Sequence, residues 1–485
     1  HDAPARGEVT ELVNTALAAV WRPNVALDLR AFIGEVRWQP KSAPVIFAAG
    51  GALPARYARR YWGEPWADSK YRSTLAGAIG VVNLGDTWRL KIGAFHSVSD
   101  SDRVVNDLLL NARADGSGDR VLLAQRDQFF QSTSGEIRLV GIFDGRWDLR
   151  QVVQLSARGR RQRGDFGGTA TVSLGQGRAG EALTASAPDF GFSALSHQTV
   201  DQASIGANYE AYWRKRAQLV LGLQRARYRK VVVSPGAAET RTRDNLWLYN
   251  AAGAVSLNDD LMVYAGYTSG LEENGVAPQN AVNFPEVLPA IRTRQQDGGL
   301  RWTVRPGLNV VLGAFEVRKP YYNLDDVRRY AELGDLVNRG VEISVAGPLT
   351  PAWRVVAGAI LSDPKASVHS ATLTQTGDRP VGIPRRLVRI STDYRFSSRP
   401  AFSIDGTATI LGRRPVNAAN TAFAPAVTTF DVGARYRFRI DRAPATLRLQ
   451  IQNIGDAWGW TVLNAGGALQ PLPPRRVSLT LTADF

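Results

Sequence analysis

Between Pro44 and Asp68 the chain reads PVIFAAGGALPARYARRYWGEPWAD, a segment that places Tyr57, Arg59, Arg60, Tyr61, Trp62 and Trp66 close together. Aromatic faces stack on planar groups and attract cations, while guanidinium forks grip paired oxygens. Arg59, Arg60, Tyr61, Trp62 and Trp66 are therefore the first candidates for ligand binding, and an anionic catecholate or carboxylate chelate suits them. Other chemistry finds less support. The histidines are His1, His96, His197 and His369, and no pair has metal-ligand spacing. The run DGSGD (Asp115–Asp119) offers oxygens for calcium but lacks a full ligand run, so it reads as a flexible tip. Neither a nucleophile elbow nor a phosphate loop is present, and an enzyme reading has little to stand on.

The elements that must carry these residues are strands. No apolar run approaches the ~18 residues of a membrane-spanning helix. Period-2 alternation is strong, and clearest near the C-terminus. Val477, Leu479, Leu481, Ala483 and Phe485 share one face, opposite Ser478, Thr480, Thr482 and Asp484. Phe430, Val432, Ala434, Tyr436, Phe438 and Ile440 likewise oppose Asp431, Arg435, Arg437 and Arg439. A net charge of +15 could signal nucleic acid, yet the arginines alternate with apolar residues along the whole chain instead of clustering on one stripe. The absence of cysteine fits a chain exported through an oxidising compartment without disulfides.

Connection lengths separate a soluble sandwich from a barrel. Short turns are expected at 22–24, 85–87, 144–146, 214–216, 258–260, 305–307, 347–351, 397–400 and 441–444. Long loops are expected between them, including 40–67, 100–130, 161–196, 272–290 and 457–472. Trp21, Trp88, Trp147, Trp213, Trp302 and Trp353 lie near short turns, as an interfacial girdle requires. The reading is all-β: a transmembrane antiparallel β-barrel with about nineteen strands, from Val9–Trp21 to Val477–Phe485. Bacterial barrels have even strand numbers, so residues 1–485 are expected to be an outer-membrane barrel truncated at its N-terminus. Three further strands would make about twenty-two, the size of plugged transporters.

Several segments resemble the TonB-dependent receptors, in particular the siderophore-receptor group. They include YAGYTSGLEENGVAPQNAVNFPEVLPAIRTRQQDGGLRW (264–302), with Asp297, Gly298 and Gly299 in its second strand. LGAFEVRKPYYNLD (Leu312–Asp325) follows, and then LVNRGVEISVAGPLTPAWRVVAGAIL (Leu336–Leu361), where Arg339–Glu342 is the most recognisable piece. GDRPVGIPRRLVRISTDYRF (Gly377–Phe396), LRLQIQNIGDAWGW (Leu447–Trp460) and PPRRVSLTLTADF (Pro473–Phe485) continue the likeness. It is specific over Tyr264–Phe485 and less diagnostic before that. The resemblance implies TonB-driven import of a scarce ligand, a ferric siderophore first, with oligosaccharide, haem or cobalamin as alternatives. It also implies a plug domain and a TonB-binding segment, neither of which this sequence contains, and no cofactor.

Partners and rivals follow. Phe485 resembles the terminal signal read by the barrel-assembly machinery. Arg386, Arg389, Arg435, Arg437, Arg439, Arg448 and Arg476 would line the lumen, attracting an anionic chelate, solvating the wall or pairing with acids of a plug. Arg158, Arg160, Arg161 and Arg163 would meet ligand or lipopolysaccharide phosphates at the outer end of a strand. His197 or His369 could ligate haem. Tyr321, Tyr322, Trp458 and Trp460 could belong to an outer girdle. The rival of another class is a passive porin with sixteen to eighteen strands, and a structural or adhesive barrel is a third reading.

Overall fold

The computed structural model describes residues 10–41, 43–183, 185–214, 216–368 and 377–484. Nineteen long strands make an antiparallel meander in which each pairs with the next. It begins with β1 (Thr10–Asn24), β2 (Leu27–Pro40), β3 (Tyr71–Leu84), β4 (Trp88–Ala112), β5 (Ser117–Asp144) and β6 (Leu149–Gly167). Then come β7 (Leu195–Trp213), β8 (Ala217–Val233), β9 (Thr240–Ser256), β10 (Leu261–Glu272), β11 (Ile291–Arg305) and β12 (Leu308–Leu324). It ends with β13 (Tyr330–Pro348), β14 (Trp353–Val368), β15 (Arg386–Arg395), β16 (Phe402–Leu411), β17 (Val427–Ile440), β18 (Ala443–Gln452) and β19 (Arg476–Ala483).

Directly opposed residues of an antiparallel ladder share a face, so one apolar side propagates around the wall. Trp21 opposes Leu29, which opposes Gly80, and Leu223 opposes Ala207, which opposes Leu155. These residues face lipid. The intervening positions, such as Gln154 and Glu210, which hydrogen-bond at 2.7 Å, face the lumen. Trp21, Trp147, Trp213, Trp302 and Trp353 stand well exposed beside the short turns, where an amphipathic indole spans the lipid–water boundary. Eight of the nine short turns overlap the expected positions, while the first lies at 25–26 and not at 22–24, because β1 continues to Asn24. Gly307, with φ +80°, is needed for the turn between β11 and β12.

Between β1 and β19 there is no strand pairing among the described residues. Loops join these ends instead. Val45–Ala48, after β2, runs parallel to β4 through Val45↔Leu108 and Ile46↔Leu109, and Ile46 also pairs with Leu469, which lies between β18 and β19.

The expected long loop at 100–130 is absent. β4 and β5 continue as one ladder to Leu110↔Asp119, and only residues 113–116 turn. The extension persists because it buries Val105, Leu109, Leu122 and Ala124 beneath the neighbouring loops. DGSGD spans the end of that turn and the start of the returning strand at Ser117: Asp115 accepts from the Ser117 N–H at 2.9 Å and from its hydroxyl at 2.7 Å. The expected loop at 161–196 is shortened too, since β6 reaches Gly167 and Thr169–Arg178 pairs with β5. Phe485 and His369 lie outside the described residues.

Candidate ligand-binding site

The long-loop end carries a packed layer, not a fringe of separate loops. Ile46, Trp62, Leu109, Val416, Trp460 and Leu469 form a core drawn from the first loop, the β4–β5 tip and the last two loops. Burying these side chains offsets the entropy of ordering several loops at once. A second cluster joins Val105, Leu122 and Ala124 to Trp66, Phe190 and Phe192.

This packing divides the five sequence candidates. Trp62 is only 2% exposed and belongs to the core. Trp66 packs against Phe190 and donates its indole N–H to the Ala185 carbonyl at 2.9 Å. The Tyr61 hydroxyl donates to the Glu64 carbonyl at 3.0 Å. Arg59, with 5% side-chain exposure, donates to the Ala457 carbonyl at 2.9 Å and pairs with Asp456. It ties the first loop to the last. Arg60 alone projects into solvent, with neither an ion pair nor a side-chain hydrogen bond among the described residues.

Further residues complete the layer, of which the sequence had not singled out Arg56, Asp107 and Arg120. Arg56 is exposed and lies 5.9 Å over the Trp458 ring. Tyr57 packs between Trp62, Trp458 and Trp460, at centroid distances of 6.0, 6.4 and 6.0 Å. Trp458 and Trp460 therefore belong to the outer layer and not to a lipid girdle. Beneath Trp62 lies a buried ion pair: Arg120 Nε donates to Asp107 Oδ1 at 2.5 Å, and its guanidinium carbon sits 4.8 Å from the Trp62 ring. The available signal was an acid and a base on either side of a turn, each next to a run of apolar residues, Leu108–Leu110 and Val121–Ala124.

Asp456 is held below the ordinary carboxylate range by the Arg475 backbone N–H and then by the Arg59 guanidinium. A carboxylate whose folded pKa is depressed stabilises above its unfolded pKa, and that contribution disappears as pH falls through the folded value. The tether should thus hold at neutral and mildly acidic pH and loosen only below the ordinary value of 3.8. At neutral pH, Arg59→Ala should speed hydrogen exchange at 55–62 and 456–473 by on the order of tenfold, since charge-assisted hydrogen bonds contribute roughly 1.5 kcal/mol. Unchanged exchange would mean that Arg59 holds nothing.

Lower in the lumen, Arg435 donates to Asp393 at 2.9 Å and to Asp405 at 3.0 Å, and Arg448 donates to Asp405 at 3.2 Å. The wall supplies acids for these two arginines. Higher up, a cavity of about 830 Å³ is lined by Phe32, Phe95, Arg158, Arg160, Gln202 and Gln224 among others, with Phe32 and Phe95 6.2 Å apart. The expected basic cluster is split: Arg158 and Arg160 face this cavity, while Arg161 and Arg163 face outward. His197 is held by Asp165 at 2.6 Å on the outward side, away from the lumen. No group of three or more metal-binding side chains occurs among the described residues.

Comparisons with known proteins agree with this architecture. Residues 21–454 match the family described as TonB dependent receptor-like, beta-barrel. The ferrichrome receptor FcuA of Yersinia enterocolitica is 25% identical over 234 residues, 47% of this chain. That alignment spans only 31% of the ferrichrome receptor's length. Among solved structures, BauA, the ferric preacinetobactin receptor of Acinetobacter baumannii, superposes with a TM-score of 0.85 at 20% identity, covering 100% of this chain and 74% of its own. The ferric-catecholate import receptor Fiu of E. coli K12 gives 0.81 at 15% identity, over 99% and 75% of the two chains.

Proposed function

The chain belongs to the TonB-dependent receptor-like β-barrel family, and on that footing we propose that it forms the wall and outer layer of a receptor importing a ferric siderophore across the outer membrane. The observation that carries the ligand class is the outer layer itself, where Arg56 stands exposed over Trp458 in the Tyr57–Trp458–Trp460 cluster and Arg60 stands exposed on the same loop. Exposed guanidiniums beside aromatic faces suit an anionic, planar chelate better than a neutral sugar. The relatives named for ferrichrome, preacinetobactin and ferric catecholates support the same choice.

In this reading the chain is a receptor and not an enzyme, and chemistry at the ligand is limited to capture. A barrel-filling plug and a TonB-contacting segment would belong to the whole receptor, with the lumenal wall at Arg158, Arg160, Gln202 and Gln224 as a surface for plug or ligand. We further propose about twenty-two strands for the complete wall, three of them joining the free edges of β1 and β19.

The test is accumulation of radioactive iron from a panel of siderophores by a receptor-deficient strain carrying the full-length gene, with and without functional TonB. Uptake of one chelate that vanishes without TonB is the expected result. TonB-independent uptake would replace active import with porin-like diffusion.

A further inference from the structure

We infer that the inner wall of β2 to β8 carries a second ligand site, a station below the outer layer for a chelate that is both anionic and aromatic. The inference deepens the import reading and rests on it. Two rows of inward side chains build the station. The upper row crosses the strands as Phe32, Gly77, Phe95, Ser134, Arg160 and Gln202, each directly opposite the next. The lower row runs Arg30, Ile79, Gly93, Glu136, Arg158 and Ser204. Neighbouring strands lie about 4.8 Å apart, so the rings and guanidiniums of these rows converge on one recess. On β4, which rises outward, Phe95 falls well short of Val105 in the outer layer. The station is thus separate from the exposed arginines at the mouth.

One half of it is apolar and bare. Phe32 and Phe95 lie 6.2 Å apart, and Phe95 and Ile79 are 39% and 49% exposed. Gly77 is required between the two rings, because a Cβ there would come within 2.7 Å of the Phe32 ring. Bare apolar surface rimmed by polar groups marks a binding surface. The other half is cationic and lacks counter-charge. Arg158 donates to the Ser204 hydroxyl at 3.0 Å and to the Gln224 amide oxygen at 3.2 Å. Arg160 donates to the Ser132 hydroxyl at 3.3 Å and to the Gln162 amide oxygen. These acceptors are neutral, and neither arginine has an ion pair among the described residues. Glu136, beside Arg158 in its row, is taken by Arg138 at 2.6 Å. Other inner-wall arginines do meet acids: Arg30 meets Asp28 at 2.9 Å, and Arg435 meets Asp393 and Asp405.

The occupant follows from the two halves. Paired oxygens satisfy the guanidiniums, and a flat aromatic face covers the phenyl rings. The recess holds about 830 Å³, within the roughly 300–1,000 Å³ of small-molecule sites. Its concave shape and few convergent polar groups suit a chelate better than the face of a folded domain. A neutral chelate would leave the arginines without counter-charge. An anionic but wholly polar one would leave the rings in water.

The experiment uses the full-length receptor in a receptor-deficient strain, with a ferric tris-catecholate and a neutral ferric trihydroxamate as probes. Surface binding is measured without TonB, and the maximal uptake rate with it. Wild type should import the catecholate. Arg158→Gln/Arg160→Gln and Phe95→Ala should each lower its maximal uptake rate by about tenfold, the order of one lost charge-assisted hydrogen bond or aromatic contact. Binding without TonB should not change. Residues 1–485 contain no cysteine, so Ser134→Cys places a single thiol of this wall between the two halves. Fluorescein attached there should be quenched by the catecholate's iron only when TonB is functional. Heat-modifiable gel migration confirms that each variant is folded. An unchanged uptake rate in the folded variants overturns the station, as does an equal fall in binding without TonB, which places these residues in capture. New sensitivity to a large antibiotic such as vancomycin assigns them to holding a plug and overturns the station too. Preferential import of the trihydroxamate overturns the assigned chemistry, while a wild type that imports neither probe overturns the import reading and the station together.

Discussion

Asp107→Ala should destabilise the outer layer by about 3–5 kcal/mol, because it strands the guanidinium of Arg120, uncompensated, in a site closed to solvent. Both side chains are essentially inaccessible, at 0% and 2%. Arg120 would keep only the Trp62 carbonyl at 3.2 Å and the ring above it, which do not compensate a buried charge. Because Trp62 packs on Arg120 and on the core, the loss should spread from the β4–β5 tip into the first loop. Hydrogen exchange at 104–124 and 55–64 should accelerate together, while β8–β14 remains protected. The companion variant Asp107→Leu/Arg120→Met removes both charges and should recover most of the loss, since an apolar pair of similar volume is often neutral or better. Equal exchange in wild type and Asp107→Ala would show that the ion pair contributes nothing net, and that apolar packing alone holds the layer.

The barrel was legible in the sequence because its causes are local and repeated. In Val477–Ala483 or Phe430–Ile440, each residue declares its face by alternation, and that face is set by lipid on one side and lumen on the other. The short turns were legible for the same reason, since each needs only a few residues with the right backbone freedom. The outer layer was not. Its decisive contacts join Arg59 to Asp456 and Tyr57 to Trp458, about four hundred residues apart in the chain. No period or motif connects such positions. Composition correctly placed aromatic and basic residues in the first loop, but could not say that Trp62 and Arg59 are structural while Arg60 is free. The extended β4–β5 ladder was missed because Asp107 and Arg120 look like loop polarity until their pairing is known. The split of Arg158 and Arg160 from Arg161 and Arg163 was, by contrast, implicit in parity along a strand, had alternation been carried past the membrane boundary.

Arg56→Glu/Arg60→Glu should lower affinity for an anionic ferric chelate by about thirtyfold, corresponding to roughly 2 kcal/mol, with little change in stability. The packed layer leaves both arginines exposed, Arg56 over the Trp458 ring and Arg60 on the same loop. Reversing their charge replaces attraction with repulsion without opening a cavity, because neither side chain is part of the apolar core. Much of the loss should fall on the association rate and shrink at high salt, as expected when exposed charges steer encounter. Trp62→Ala provides the contrast. It should cost about 3–5 kcal/mol of layer stability through a cavity, and so reduce binding of every ligand alike. A chelate without net charge should therefore bind the double-glutamate variant normally and the Trp62 variant poorly. If the double reversal instead leaves the anionic chelate bound at wild-type affinity, capture does not occur at this cluster. The lumenal wall at Phe32, Phe95 and Arg160 then becomes the place to look, because guanidinium and aromatic groups converge there in one cavity inside the barrel.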